Sequence, residues 1–183
     1  MESIKHIFRD VEKTKQVGFP SSLLSNKNRM NFKHNTNKLI ENILRQEYEN
    51  KCCNEGFVVP KSLKIIKRSN IRFPLESTKL TYVIDCTFKI TVCCPYKDAV
   101  ILCEIVSKNK IGLLCKINAQ TNDMSEEISP LIILVPNDLS IDDNEVLSKL
   151  QKLDTGDKVY VKVLGKKFEQ FEKKITVVGQ LVV

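Results

Sequence analysis

Seven cysteines, two histidines and one run of closely spaced carboxylates are the residues of this 183-residue chain whose types could do chemistry. A thiol nucleophile needs a base within hydrogen-bond reach. Only His6 and His34 are available, both in the least regular part of the sequence. Zinc sites built on cysteine commonly separate paired ligands by about two to four residues, whereas Cys52–Cys53 and Cys93–Cys94 are adjacent. Cys86, Cys103 and Cys115 lie in apolar alternating runs, where cysteine behaves as a small buried hydrophobe. Asp142, Asp143 and Glu145 could be read as a carboxylate cluster for metal or acid chemistry, but in the first turn of a helix acidic residues simply oppose its macrodipole. Nucleophile, base and orienting group are not brought together by any spacing. The expectation is therefore a non-enzyme without cofactor or metal, whose function lies in how its modules are assembled.

Those modules are small. With 42% apolar residues the chain can bury one good core or two modest ones, and its charge is divided unevenly. Residues 1–79 hold 16 Lys and Arg against 8 Asp and Glu, and residues 80–183 hold 13 against 14. A basic N-terminal half attracts an anionic partner, either nucleic acid or an acidic protein surface, or is simply a solvated face. The N-terminus MESIKHIFRDVEKTKQ is charged and lacks the apolar segment of a signal peptide. No apolar run approaches the roughly 20 residues needed to cross a bilayer. These features predict a soluble intracellular protein with reduced thiols and no membrane partner.

The elements follow from periodicity. Ile4, Ile7, Phe8 and Val11 form a short helical pattern in residues 1–20, which read as an extension. Residues 21–35 read as a strand and a loop. Leu39, Ile40, Ile43, Leu44 and Tyr48 recur at helical spacing, with Asn35 or Thr36 as the N-cap, and Gly56 gives the freedom to turn into an extended segment. Residues 61–68 and 79–94 read as strands joined by the breaker-rich SNIRFPLEST. In the second of them Tyr82, Ile84, Cys86, Phe88 and Ile90 alternate with Thr81, Val83, Asp85, Thr87 and Lys89, and Pro95 closes it.

Five further short, β-branched runs, at 99–106, 111–117, 131–135, 158–164 and 174–183, predict a closed five-stranded barrel of the OB type, since closure removes exposed strand edges. Residues 140–153 interrupt them with helical spacing at Val146, Leu147 and Leu150. Lys108, Lys110 and Lys116 around one hairpin, with Lys162, Lys166 and Lys167 near another, can attract phosphate without reading sequence. Each could equally serve solubility and edge protection.

The order of elements and four segments, LIENILRQEYENKCCNEGFV, LKIIKRSNI, FKITVCCPYKDAVILCEIVSKNKIGLLCKI and PLIILVPNDL with GDKVYVKVLG, resemble the larger stalk subunit of multisubunit DNA-directed RNA polymerases: the seventh subunit of eukaryotic RNA polymerase II and its archaeal E-prime relative. The likeness covers about residues 21–183. It implies an α+β architecture: an extension over 1–20, a small N-terminal α/β tip domain over 21–92, and a five-stranded OB-fold barrel of the S-one type over 93–183. It also implies a non-catalytic role in transcription. The tip would pair with a smaller stalk partner and dock on the large core subunits, while the barrel contacts emerging single-stranded RNA without sequence specificity.

On the resemblance, Gly56 corresponds to the family's glycine after the tip helix, Pro95 to the junction proline, and Asn70, Ile71, Arg72, Phe73 and Pro74 to the loop that meets the core enzyme. An exposed Phe beside an Arg is a sound interface pair, though Phe73 could equally cover its own domain. The barrel departs from the family where glycine is common, at Asp98 and at or near Cys103. It departs again after Gly112, where Leu113 and Leu114 replace a base-stacking aromatic. Richness in Asn, Lys and Ile, and spellings such as SLKIIKRSNI, resemble versions encoded by large cytoplasmic DNA viruses. That implies a nuclear or cytoplasmic location, with a viral factory or virion for a virus-encoded form. The competing reading is a freestanding OB-fold RNA-binding or translation-factor-like module.

Overall fold

The structure, a computed structural model, describes residues 2–20, 32–73, 81–117, 128–137 and 153–182. The chain divides into two compact units, one formed by Met1–Arg9, Lys51–Phe57 and Cys93–Val183 and the other by Asp10–Asn50 and Val58–Val92. It is mostly β, with a closed five-stranded barrel and one described α-helix.

The barrel is made by β6 (Val100–Lys108), β7 (Gly112–Lys116), β8 (Leu131–Pro136), β9 (Lys158–Lys167) and β10 (Ile175–Leu181), in the order β10-β8-β7-β6-β9. β9 pairs back on β10, so no barrel edge is left open. Four neighbours are antiparallel and one, β8 with β10, is parallel. Strict alternation fills the interior: Ile101, Cys103 and Ile105 from β6, Leu113 and Cys115 from β7, Leu131, Ile133 and Val135 from β8, Val159, Val161 and Val163 from β9, and Ile175, Val177 and Leu181 from β10 are all buried. Curvature comes from bulges at Ile105/Ser107 in β6 and at Val178/Gly179 in β10. Gly112 is required where β7 starts, because a Cβ there would stand 2.2 Å from the Val135 carbonyl oxygen.

The same unit holds a 3-10 helix (Glu2–Ile7), whose Ile7 is buried in the barrel core and whose carbonyl accepts from the Cys94 N–H at 2.8 Å. It also holds the hairpin of β2 (Cys52–Cys53) and the start of β3 (Gly56–Val58), paired Cys52↔Phe57 and Cys53↔Gly56. Gly56 has φ 135°, and a Cβ on it would fall 2.4 Å from the Cys93 carbonyl oxygen. A left-handed backbone and this close approach leave glycine as the residue that fits.

In the second unit β5 (Thr81–Cys93) is central, with Ile84, Cys86, Phe88, Ile90 and Val92 buried on one face, as the alternation predicts. β1 (Phe8–Pro20) lies along it: Asp10 with Thr91, Thr14 with Thr87 and Gln16 with Asp85 make side-chain hydrogen bonds. One index rises as the other falls, the signature of antiparallel neighbours. β4 (Lys64–Arg68) pairs antiparallel with β5 through Lys64↔Lys89 and Arg68↔Cys86. The helical pattern expected for residues 1–20 is thus corrected to a 3-10 turn followed by a long strand.

Helix α1 (Phe32–Tyr48) has Thr36, Ile40 and Leu44 buried at four-residue steps, continued by Tyr48, whose ring meets Phe88 at 5.3 Å between centroids. Asn35 and Thr36 lie inside this helix, so neither is the cap that the sequence suggests. The helix is left through Asn50, with φ 60°, whose N–H donates to the Val58 carbonyl at 3.1 Å. Asn enters the left-handed region more readily than most residues. The readings placed on residues 21–31 and 140–152, the latter including Asp142, Asp143 and Glu145, fall outside the described residues, as does Pro74.

Candidate nucleic-acid and docking surfaces

The barrel lysines originate on three outer stretches. Lys108 ends β6, and its ammonium donates to the Leu153 carbonyl at 2.9 Å. Lys110 sits in the β6–β7 turn, where Asn109 Oδ1 accepts from the Ile111 and Gly112 N–H groups and Asn137 Nδ2 donates to the Lys110 carbonyl. Lys116 faces Glu104 across the β6–β7 ladder at 3.6 Å. Lys162 pairs with Asp98 at 2.9 Å, and Lys166 donates to the Pro95 carbonyl at 2.8 Å and to Cys94 Sγ at 2.9 Å. Lys167 is exposed opposite Thr176.

Register shows how these charges are spread. Along the β6–β9 seam the pairs run from Val100↔Lys162 to Glu104↔Lys158. Lys108 lies past one end of this run, and Lys166 and Lys167 lie past the other. The six lysines are therefore not one patch. Lys116 and Lys167 do share a cross-strand row, through Lys116↔Ile132, Ile132↔Thr176 and Thr176↔Lys167. Beside it runs an aliphatic row of Leu114, Leu134 and Val178. Leu134 and Val178 are more than a third exposed, so this outer wall is aliphatic with lysine at its margins.

Aromatic groups stand elsewhere on the unit, where sequence reasoning did not single them out. Tyr160 on β9 is 49% exposed, Tyr96 is 52% exposed and edge-on to His6, and Phe171 between β9 and β10 is 61% exposed. The signal for Tyr160 was strand parity, since Val159 and Val161 on either side point inward.

Asp98 and Cys103, the two positions noted above for lacking a glycine, are accommodated in different ways. Asp98 itself takes a left-handed φ of 68°, a conformation Asp tolerates better than most side chains. Its hydrogen bond from Lys162 holds the carboxyl below its ordinary pKa. Cys103 remains buried, its thiol pushed up by a hydrogen bond with Cys115 and by burial. The bend in β6 is carried by the bulge two residues later.

In the second unit Asn70, Ile71, Arg72 and Phe73 follow β4. Arg72 exchanges both backbone hydrogen bonds with Val83 at 2.9 Å, and its guanidinium pairs with Asp85. Ser69 secures the start of the loop, its N–H donating to the Asp85 carbonyl and its hydroxyl accepting from the Asp85 N–H. Phe73 is 48% exposed while its ring meets Tyr82 edge-on at 5.2 Å. It therefore both covers its own unit and offers a free face. Lys61, Lys64, Lys67, Arg68 and Arg72 occur here with no acidic residue between them, and Ile66 is 52% exposed. Gly56 is held by the backbone packing described above.

Six of the seven cysteines are buried, none is in a disulfide, and Cys94 is half-buried. Burial pushes the Cys52 thiol up to about 11. Among the described residues no group of three or more His, Cys, Asp or Glu side chains is placed to hold a metal ion. Compared with protein-family models and with curated proteins, the sequence matches none of them.

Proposed function

We propose that the chain is a non-catalytic stalk subunit of a DNA-directed RNA polymerase, docking on the core through its N-terminal tip domain and touching emerging RNA with an OB-type barrel. One observation carries the reading: a helix-and-strand unit is followed by a closed barrel in the order β10-β8-β7-β6-β9 with a single parallel pair. A five-stranded barrel of this kind is the OB solution, and the order of modules is the one the sequence resemblance implies. The loop Asn70–Phe73 supports docking, since Arg and a half-exposed Phe are both residue types enriched at protein interfaces. Its ties to Val83 and Asp85 give it one shape before binding, which lowers the ordering cost.

For the barrel, lysines on an otherwise aliphatic wall suit phosphate attraction rather than base readout. The test is sedimentation of the tagged full-length chain from cells that express it. Co-migration with template-dependent RNA synthesis is expected. Sedimentation as a free protein of its own mass, with polymerase activity elsewhere in the gradient, would contradict the proposal.

A further inference from the structure

The β9–β10 connection KKFEQFEKK contains two phenylalanines with opposite fates. Phe168 packs against the barrel core. Phe171 is 61% exposed and has φ 72°. Glu169 to Glu172 form a β-turn, closed by the Glu172 N–H donating to the Glu169 carbonyl at 3.3 Å. Phe171 occupies its third position, where a left-handed φ calls for Gly or Asn. A bulky side chain there is an outlier, and this ring gains little packing in return.

The conformation is nonetheless fixed from both sides. The Phe171 N–H donates to the Cys52 carbonyl at 2.9 Å, and the Cys52 N–H donates to the Glu172 carbonyl at 2.7 Å. The Glu172 carboxylate accepts from the Glu169 N–H at 2.8 Å, which engages one of the turn's two acids internally. Lys167, Lys173 and Lys174 flank the turn and are exposed.

We propose that Phe171 is a stacking platform for a base of single-stranded nucleic acid, with the ammonium groups of Lys167, Lys173 and Lys174 attracting the flanking phosphates. Backbone strain that persists because its surroundings over-determine it is a pointer to function. An aromatic face beside cations is the usual means of gripping a single strand without reading its sequence. The inference rests on the RNA-contacting role proposed above.

Binding of a short fluorescent oligouridylate to the full chain, followed by anisotropy, tests it with Phe171→Gly and Phe171→Trp. The glycine variant should bind about 5- to 150-fold more weakly. Its melting temperature should be unchanged or raised by about 2–4 °C, because glycine relieves the left-handed strain. The tryptophan variant should retain affinity. If wild type binds and the glycine variant binds equally well, the platform is overturned while the RNA-contacting role stands. The same holds if only polymerase association weakens, which would assign the ring to a protein contact. If wild type does not bind the oligouridylate at all, both proposals fall.

Discussion

Gly56 and Gly112 combine a left-handed φ with a backbone carbonyl oxygen that a Cβ would strike, which leaves little room to change either. Gly56→Ala and Gly112→Ala should each destabilise the protein by about 2 kcal/mol or more in urea unfolding. Gly165→Ala, with nothing within 4 Å of its Cβ, should stay within about 0.5 kcal/mol of wild type. The thiols offer a second check at this scale. Native protein at pH 8 should expose one reactive thiol, Cys94, to a disulfide reagent, and the six buried ones only on unfolding. Asp10 and Asp98 are held below the ordinary carboxylate range by hydrogen bonds with Lys89 and Lys162. Their contribution to stability is present above the unfolded-state pKa and is lost as pH falls through the lowered folded value. Asp98→Asn should therefore flatten stability against pH only below about pH 4.

At the scale of elements, α1 is fastened by Ile40 and Leu44, both fully buried. Leu44→Ala should cost about 2–5 kcal/mol, whereas Asn42→Ala on the exposed side should change stability by about 0.5 kcal/mol or less, both read from denaturant midpoints. The barrel strands and β5 were legible because alternation is local and their inward residues are nearly all aliphatic or cysteine. β1 was not. Its inward positions Val11, Lys13, Lys15, Val17 and Phe19 do alternate, but two are lysines whose ammonium groups lie 5.5 and 5.4 Å from the centre of the Tyr48 ring. Lysine stems covering an aromatic ring hide an inward position from any hydropathy pattern. Ile4, Ile7, Phe8 and Val11 meanwhile mimic a helix. Gly56 does open β3 with a left-handed φ, as the sequence suggests, but Asn50 supplies the left-handed residue next to α1, and the contact of Gly56 with Cys93 is long-range and hidden from spacing. The six lysines can be named from the sequence as candidates, but their separation depends on barrel register, which the sequence does not display.

For the whole molecule, the basic N-terminal half and the nearly neutral C-terminal half suggest two kinds of contact. If the barrel holds RNA mainly through phosphates, the logarithm of affinity should fall linearly with that of salt concentration, by about 0.7 per phosphate neutralised on a single strand. Lys167→Glu should make that slope shallower without creating base preference, measured by the same anisotropy titration. The most direct measurement of assembly is affinity purification of the tagged full-length chain from cells that express it, with every retained protein identified by mass spectrometry, beside an Arg72→Ala/Phe73→Ala variant. A polymerase stalk subunit that docks through this loop should bring down the large core subunits stoichiometrically as wild type and lose them in the variant. Recovery of the chain without any polymerase subunit would contradict this role.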